Sequence, residues 1–184
     1  MRRRLKITAL TLSVPLLLLI GYLGLLLSTG NFHVITGGEA YRSAQLSDNK
    51  ISQYIEEYHI KSVMNLRGQN PGKEWYENEI RTCKKYGIEH YDLALSSTHE
   101  PNTKAMGKMI EIFTYAPRPI LIHCQYGADR SGLVSAMWKV IVDNEPKSEA
   151  KKQLSFIYGH VPLFGRDAMD RFFEKWNPAD QFSH

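Results

Sequence analysis

Cysteine is scarce in this sequence: Cys83 and Cys124 are the two cysteines among 184 residues, and they form no CxxC pair. This excludes a disulfide framework and a zinc site of the paired-cysteine type. A single bridge between the two cysteines would depend on their geometry. The seven histidines show no HExxH-type spacing, so the sequence predicts no metal site.

A nucleotide-binding motif is also missing. The stretch GQNPGKE has three residues between Gly68 and Gly72, where a phosphate-binding P-loop has four. Glu74 stands where that motif requires Ser or Thr. The sequence therefore predicts no cofactor.

The main body of the chain lacks an excess of charge of either sign. Four of the 23 lysine and arginine residues are Arg2, Arg3, Arg4 and Lys6, which leaves 19 to balance the 19 acidic residues. A balanced body offers no basic surface for nucleic acid, and no nucleic-acid partner is predicted.

Residues Ile7–Leu27 form a run of 21 residues without a charge. A helix of about 20 apolar residues spans a bilayer core, so the run predicts one transmembrane helix that anchors the chain in a membrane. The positive residues before it place the N-terminus in the cytoplasm and the domain outside, in a periplasm. The alternative is a signal peptide cleaved before Asn31, but the run is longer than the apolar region of such peptides.

The chain therefore divides into a stub and anchor at residues 1–30 and a domain at residues 31–184. From His33 onward strand-like and helix-like stretches alternate, which is typical of an α/β domain with a mostly parallel central sheet, although a mixed sheet stays open. The strand-like stretches are AYRSAQ, IKSVMNLRG, IEHYDLAL and RPILIH. The helix-like stretches are residues 46–60, 73–87, 102–116 and 131–144, then stretches around 149–158 and 166–176. Cys83 falls inside the second helix, which predicts a buried structural thiol.

The stretch HCQYGADRSG, His123–Gly132, joins the strand PILIH to a helix. A loop that enters a helix N-terminus presents unpaired backbone N–H groups and the positive end of the helix dipole, which together attract an anion. Such a loop stabilises the thiolate form of a cysteine at its base, here Cys124. Arg130 can hold two phosphate oxygens with its planar guanidinium.

The pattern HC-x5-R-S/T-G, matched here by HC-QYGAD-R-S-G, resembles the cysteine-dependent phosphatases of the protein-tyrosine and dual-specificity class. The similarity is greatest to the compact, atypical dual-specificity group, and it continues through YRSAQLS, IKSVMNLRG and PILIHC, roughly Ala40–Asp143. The resemblance implies a three-layer α/β phosphatase domain, and together with the apolar run Ile7–Leu27 it predicts a membrane-anchored protein of bacterial type. It also implies a reaction in which Cys124 forms a phosphocysteine that water then hydrolyses.

The same resemblance implies roles for the residues around the nucleophile. Arg130 and the loop N–H groups would bind the phosphoryl oxygens, His123 would position the loop, and Ser131 would assist breakdown of the intermediate. The phosphate-binding loop would consist of His123, Gln125, Tyr126, Gly127 and Ala128.

The proton donor for the leaving group is left open among three carboxyl groups. Asp92 lies 32 residues before Cys124, a separation typical of the family, but falls in a predicted strand. Asp129 is inside the phosphate-binding loop, and Glu100 is the one carboxyl group of the loop SSTHEP.

The predicted substrate is a phosphomonoester on a protein, a lipid or an envelope component. The loop carries no lysine between Cys124 and Arg130, and Asp129 adds a negative charge, which favours substrates with few negative groups. Two other functions remain possible at this stage: a pseudophosphatase that only binds phosphate, and a sulfur-transfer or arsenate-reducing cysteine enzyme.

Overall fold

A computed structural model describes residues 14, 17–22, 24–163 and 167–178. One five-stranded sheet has the strand order β1-β2-β5-β3-β4. Strands β2, β5, β3 and β4 are parallel, and β1 pairs with β2 in antiparallel orientation at one edge. The bounds are β1 His33–Thr36, β2 Ala40–Ser43, β3 Ser62–Asn65, β4 Glu89–Asp92 and β5 Ile120–His123. The predicted mostly parallel sheet is confirmed.

Helices connect the parallel strands. Residues 17–22 and 24–29 are helical and are called α1 here. The later helices are α2 Asp48–Tyr58, α3 Glu74–Tyr86, α4 Thr103–Tyr115, α5 Asp129–Ile141, α6 Lys147–Ala150 and α7 Ala168–Lys175. Gly87 ends α3 in the left-handed conformation, and the Asn102 side chain caps α4 by accepting from the Ala105 N–H.

One helix prediction was wrong in part. The stretch around 149–158 is not one helix: α6 is followed by two short 3-10 helices, Lys151–Gln153 and Phe156–Tyr158. The carbonyl and side-chain amide oxygens of Gln153 both accept hydrogen bonds from the buried Arg42. Because this tertiary contact fixes the chain there, it overrides the local helical pattern.

The sheet separates two apolar cores, which makes the domain three-layered. In β5, Ile120 and Ile122 contribute to the core beneath α4, α5 and α7, while Leu121 faces the smaller core beneath α2 and α3. Cys83 belongs to the smaller core, and its burial raises the pKa of its thiol to about 12. The predicted structural role of Cys83 is therefore confirmed.

The predicted transmembrane run Ile7–Leu27 lies partly outside the described residues. Within the part of the chain that the structure describes, no helix has the length and apolar character needed to cross a membrane. The described residues of α1 contact the domain, since the Tyr22 ring stacks on Phe156 at 5.5 Å and its hydroxyl donates to the Phe156 carbonyl at 2.9 Å.

Candidate active site

The loop between β5 and α5 lies at the carboxyl edge of the sheet, where the connections after the parallel strands meet. Cys124 follows the last residue of β5 and is 2 % exposed. Helix α5 begins at Asp129, two residues before the predicted start, so Asp129 and Arg130 stand on its first turn. Cys124 forms the base of a small pocket whose other lining residues are Ser97, Gln125, Tyr126, Asp129 and Arg130.

Gly127 makes the sharp turn of this loop possible. Its φ of +70° lies in the left-handed region, and a Cβ there would come within 2.6 Å of the Ala44 nitrogen. The loop therefore packs directly on the chain that leaves β2, at a distance that only glycine permits.

Two polar side chains hold the loop from behind by binding its carbonyl groups. Arg42 of β2, fully buried, donates to the carbonyls of Gly127 and Ala128 at 3.0 and 3.1 Å. Asn31 donates to the carbonyl of Tyr126 at 2.9 Å. Three successive carbonyl groups of the loop are therefore held by Asn31 and Arg42, which fixes the loop backbone whose N–H groups would bind an anion.

Ser131 and Arg130 both lie beside the thiol. The Ser131 hydroxyl is 3.5 Å from Cys124 Sγ, within hydrogen-bonding reach of sulfur. Arg130 Nη1 donates to the carbonyls of Leu66 and Leu95 at 3.4 and 3.3 Å. The buried Nε of Arg130 has no hydrogen-bond partner in the described part of the chain, and an oxygen of a bound phosphate would satisfy it.

Asp129 is joined to a buried histidine. His160 Nδ1 is 2.7 Å from Asp129 Oδ1, and His160 Nε2 is 2.7 Å from Asp170 Oδ2 on α7. Burial opposes a charge on His160, but hydrogen bonds to Asp129 and Asp170 outweigh it and raise its pKa. Since a carboxylate only accepts hydrogen bonds, two carboxylates favour the imidazolium form with both nitrogens as donors.

The other two carboxyl groups considered as proton donors lie apart from the pocket lining. Asp92 ends β4 and accepts hydrogen bonds from Asn65 Nδ2 at 2.8 Å and the Tyr76 hydroxyl at 2.7 Å. Glu100 pairs with Lys175 and Arg171 at 3.1 and 3.4 Å, and these hydrogen bonds hold its pKa below the usual range. Asp129 is the carboxyl group that the structure brings to Cys124.

His123 is buried and meets an acidic partner beneath the loop. Its Nε2 lies 3.1 Å from the Glu79 carboxylate, which also contacts His90 Nε2 at 2.8 Å and accepts from Gln45 Nε2 at 2.8 Å. Burial alone would raise the pKa of Glu79, but His123 and His90 hold it well below its usual range. The hydrogen bond of His123 thus goes to helix α3, and the histidine orients the start of the loop through that contact.

Several residues of this site could not be found from sequence. Asn31 and Arg42 support the loop from positions 95 and 85 residues away, and His160 reaches Asp129 across 31 residues. Arg42 lies in the stretch YRSAQLS, which resembles other proteins but does not by itself indicate a role for the arginine. Nothing in the local pattern around Asn31 or His160 indicates a role.

Fold and site together define a cysteine-dependent phosphatase domain, with its nucleophile, phosphate-binding loop and arginine in one pocket. Residues 36–161 match the protein family described as PTP-NADK, DSP-PTPase phosphatase fused to NAD+ kinase, and the chain belongs to this family. The match covers the four parallel strands β2 to β5 and the complete loop between β5 and α5. It favours the phosphatase reading over sulfur-transfer and arsenate-reducing enzymes.

Individual proteins show the same relationship. The inositol diphosphatase SIW14 of Saccharomyces cerevisiae is 31 % identical over 105 residues, which are 54 % of this chain and 35 % of that protein. The chain thus matches about a third of the length of this relative.

Solved structures agree in fold. The core catalytic domain of the S. cerevisiae PP-IP phosphatase SIW14 has a TM-score of 0.63 at 22 % identity, covering 82 % of this chain and 88 % of that one. P. aeruginosa TpbA in complex with phosphotyrosine has a TM-score of 0.61 at 17 % identity, covering 83 % and 87 %.

Proposed function

We propose that this protein hydrolyses phosphomonoesters through a phosphocysteine intermediate. The observation that carries the proposal is the shared pocket of Cys124 and Arg130 at the N-terminus of α5, with the loop carbonyls tied back by Arg42 and Asn31. This arrangement supplies a nucleophile and a cradle for the charge of a transferring phosphoryl group.

In the first step the Cys124 thiolate attacks phosphorus and the bond to the leaving oxygen breaks. Arg130 and the loop N–H groups hold the three remaining phosphoryl oxygens, where the transition-state charge is spread. In the second step water attacks phosphorus, the P–S bond breaks, and the thiolate returns. The Ser131 hydroxyl, 3.5 Å from the sulfur, donates to the departing thiolate and so favours its release.

Asp129 is assigned as the general acid of the first step and the general base of the second. The proton comes from the pair that Asp129 forms with His160: it passes from His160 Nδ1 through Asp129 to the leaving oxygen, which leaves the Asp129 carboxylate beside a neutral imidazole. In the second step Asp129 takes a proton from the attacking water and returns it to His160. Its place in the pocket lining supports this assignment over Asp92 and Glu100, whose carboxylates are engaged elsewhere.

Replacing Cys124 tests the proposal directly. The full-length protein should release phosphate from an aryl phosphate, and Cys124→Ser should reduce the rate to background because the nucleophile is lost. Cys83→Ala removes the other cysteine from a core position and should retain activity of the same order. Phosphate release that persists in Cys124→Ser would refute a phosphocysteine mechanism, and absence of turnover in the unmutated protein would favour a pseudophosphatase.

The substrate class follows from the pocket and from related proteins. SIW14 is named as an inositol diphosphatase, and TpbA was solved with phosphotyrosine, so both relatives support a phosphorylated substrate for this chain. A panel of phosphopeptides, phosphorylated lipids and inositol phosphates, with Cys124→Ser as control, would separate protein, lipid and envelope phosphomonoesters.

A membrane anchor at Ile7–Leu27 is a separate part of the proposal. It rests on the 21 uncharged residues of this run and on the exposure of its described side chains: Leu17, Leu18 and Leu27 are 66 %, 69 % and 82 % exposed. Exposing these apolar side chains to water is unfavourable, whereas burying them in a bilayer is favourable. The positive residues before the run support an extracytoplasmic, periplasmic domain.

A further inference from the structure

Arg67 is a guanidinium beside the active site that the mechanism does not use. It follows Leu66, whose carbonyl accepts from Arg130, so the backbone of Arg67 lies next to a contact of the loop arginine. The Arg67 Cζ lies 3.5 Å from the centroid of the Trp75 ring, and Nη1 donates to Gln45 Oε1 at 3.0 Å. Gln45 in turn donates from its backbone N–H to the carbonyl of Gln125 in the phosphate-binding loop.

This arrangement fixes the Arg67 guanidinium without neutralising it. The stacked ring and the Gln45 amide restrict the orientation of the side chain, and neither carries a negative charge. The hydrogen bonds of Arg130 also go to neutral carbonyl oxygens. Arg130 in the pocket and Arg67 beside it thus both make their hydrogen bonds to neutral partners.

Electrostatic effects agree with this placement. Partial burial and then the Arg130 charge lower the pKa of Arg67, while Glu79, Cys124 and Tyr126 act in the opposite direction. These directions agree with the contacts, which connect Arg67 to the phosphate-binding loop through Gln45 and through the neighbouring Leu66. A dianionic phosphate held by Arg130 leaves the charge of Arg67 available to a further anionic group.

We propose that Arg67 forms a second anion subsite, which binds a phosphate or carboxylate group located next to the reacting phosphate of the substrate. The inference rests on the proposed function, since the reacting phosphate must occupy the loop at Arg130. Arg67 has the geometry for it: with one face on Trp75 and one N–H on Gln45, its remaining N–H groups form a fork suited to two oxygens.

The state of Asp129 removes an objection to this substrate class. The sequence suggested that an acidic residue in the loop would disfavour substrates with several negative charges. In the structure, His160 lies 2.7 Å from Asp129, and the raised pKa of His160 favours the charged form that compensates the carboxylate. The loop therefore repels a second anion less strongly than its sequence alone implies.

Binding measurements without turnover test the subsite. In full-length Cys124→Ser protein, calorimetry gives the Kd of two inorganic probes, orthophosphate and diphosphate. Diphosphate should bind at least about tenfold more tightly than orthophosphate, because its second phosphoryl group reaches Arg67. Adding Arg67→Gln should reduce that ratio to about two or less, while orthophosphate binding falls by less than about threefold.

Two further variants complete the design. Arg67→Lys keeps the charge but not the fork and should retain part of the preference. Arg81→Gln removes an exposed arginine of α3 and should leave the ratio as it is, which controls for net charge. Retained orthophosphate binding shows that each variant is folded.

Either of two results would overturn the subsite: equal affinity for both probes in the parent protein, or a diphosphate preference that survives Arg67→Gln. An equal loss of both probes in Arg67→Gln would also overturn it, because Arg67 would then belong to the orthophosphate site. Since no turnover enters the measurement, failure of the hydrolase proposal in the Cys124 assay would be seen separately.

Discussion

At the scale of single residues, the proposed role of Asp129 in proton transfer leads to a prediction. Its carboxyl group lines the pocket with Cys124 and is held at 2.7 Å by His160, whereas Asp92 and Glu100 accept hydrogen bonds from other side chains. A general acid matters most where the leaving group is a poor one, because a good leaving group departs without a proton.

Asp129→Asn should therefore reduce kcat by about 10²-fold or more for alkyl phosphates and much less for an activated aryl phosphate. The measurement is the dependence of kcat on the leaving group over a series of phosphate esters. Asp92→Asn and Glu100→Gln serve as matched controls, with no steepening of that dependence. Full activity of Asp129→Asn on alkyl phosphates would show that the proton comes from elsewhere.

The residues that could be predicted from sequence are those within one short motif. Cys124, Arg130 and Ser131 were identified because their spacing between a strand and a helix carries the chemistry. His160, Arg42 and Asn31 escaped prediction because their roles depend on contacts between distant segments, which periodicity does not encode.

At the scale of elements, local sequence signals predicted most of the helices, whereas elements that depend on tertiary contacts were missed. The bounds of α2 to α5 were predicted to within three residues, because apolar periodicity and ends such as Gly87 are local signals. Strand β1 was not identified as a separate element: it has four residues, and Ile35 is the one buried residue among them. The break after α6 depends on Arg42 and could not be read from the local sequence.

The close packing of the site loop on β2 leads to a prediction for Gly127. In Gly127→Ala the new Cβ would meet the Ala44 nitrogen at 2.6 Å, and the residue would keep a φ of +70° at a cost. We expect activity to fall by more than about 100-fold and the free energy of unfolding to fall by at least about 2 kcal/mol. Steady-state kinetics and denaturant unfolding measure the two effects.

Gly107→Ala is the matched control, since a Cβ at this position in α4 would contact nothing within 4 Å. Alanine should stabilise the helix by about 0.5 to 1 kcal/mol and leave activity as it is. A fully active Gly127→Ala protein would show that the loop does not need its close approach to β2.

His160 also connects elements, because it bridges the first turn of α5 to α7 through Asp129 and Asp170. Its pKa is raised in the folded state, so the stabilisation is fully present below the unfolded pKa of about 6.5 and is lost as pH rises through the folded value. His160→Gln should lower the free energy of unfolding by about 2 kcal/mol at pH 5.5, with a smaller difference at pH 9.

Denaturant unfolding of both proteins across this pH range measures the difference. Asp170→Asn should show the same trend, since it removes one of the two charges that favour the imidazolium. A difference that grows with pH would mean that His160 is neutral in the folded protein, contrary to the assignment.

At the scale of the whole molecule, the proposed membrane anchor would decide which substrates the domain meets. The apolar run Ile7–Leu27 follows four positive residues, and its described part rests on the domain through Tyr22 and Phe156. Because positively charged flanks stay in the cytoplasm, the proposed anchor would export the phosphatase domain.

Reporter fusions test this orientation. A reporter enzyme that is active only outside the cytoplasm, joined after His184, should be active and should fractionate with membranes. Moving the positive charge, by replacing Arg2, Arg3 and Arg4 with Glu and adding lysines after Leu27, should reverse the result because orientation follows the basic flank. An inactive external reporter, together with an active cytoplasmic one, would place the domain with cytoplasmic substrates. Recovery of the external reporter in the soluble fraction would instead indicate cleavage near Asn31.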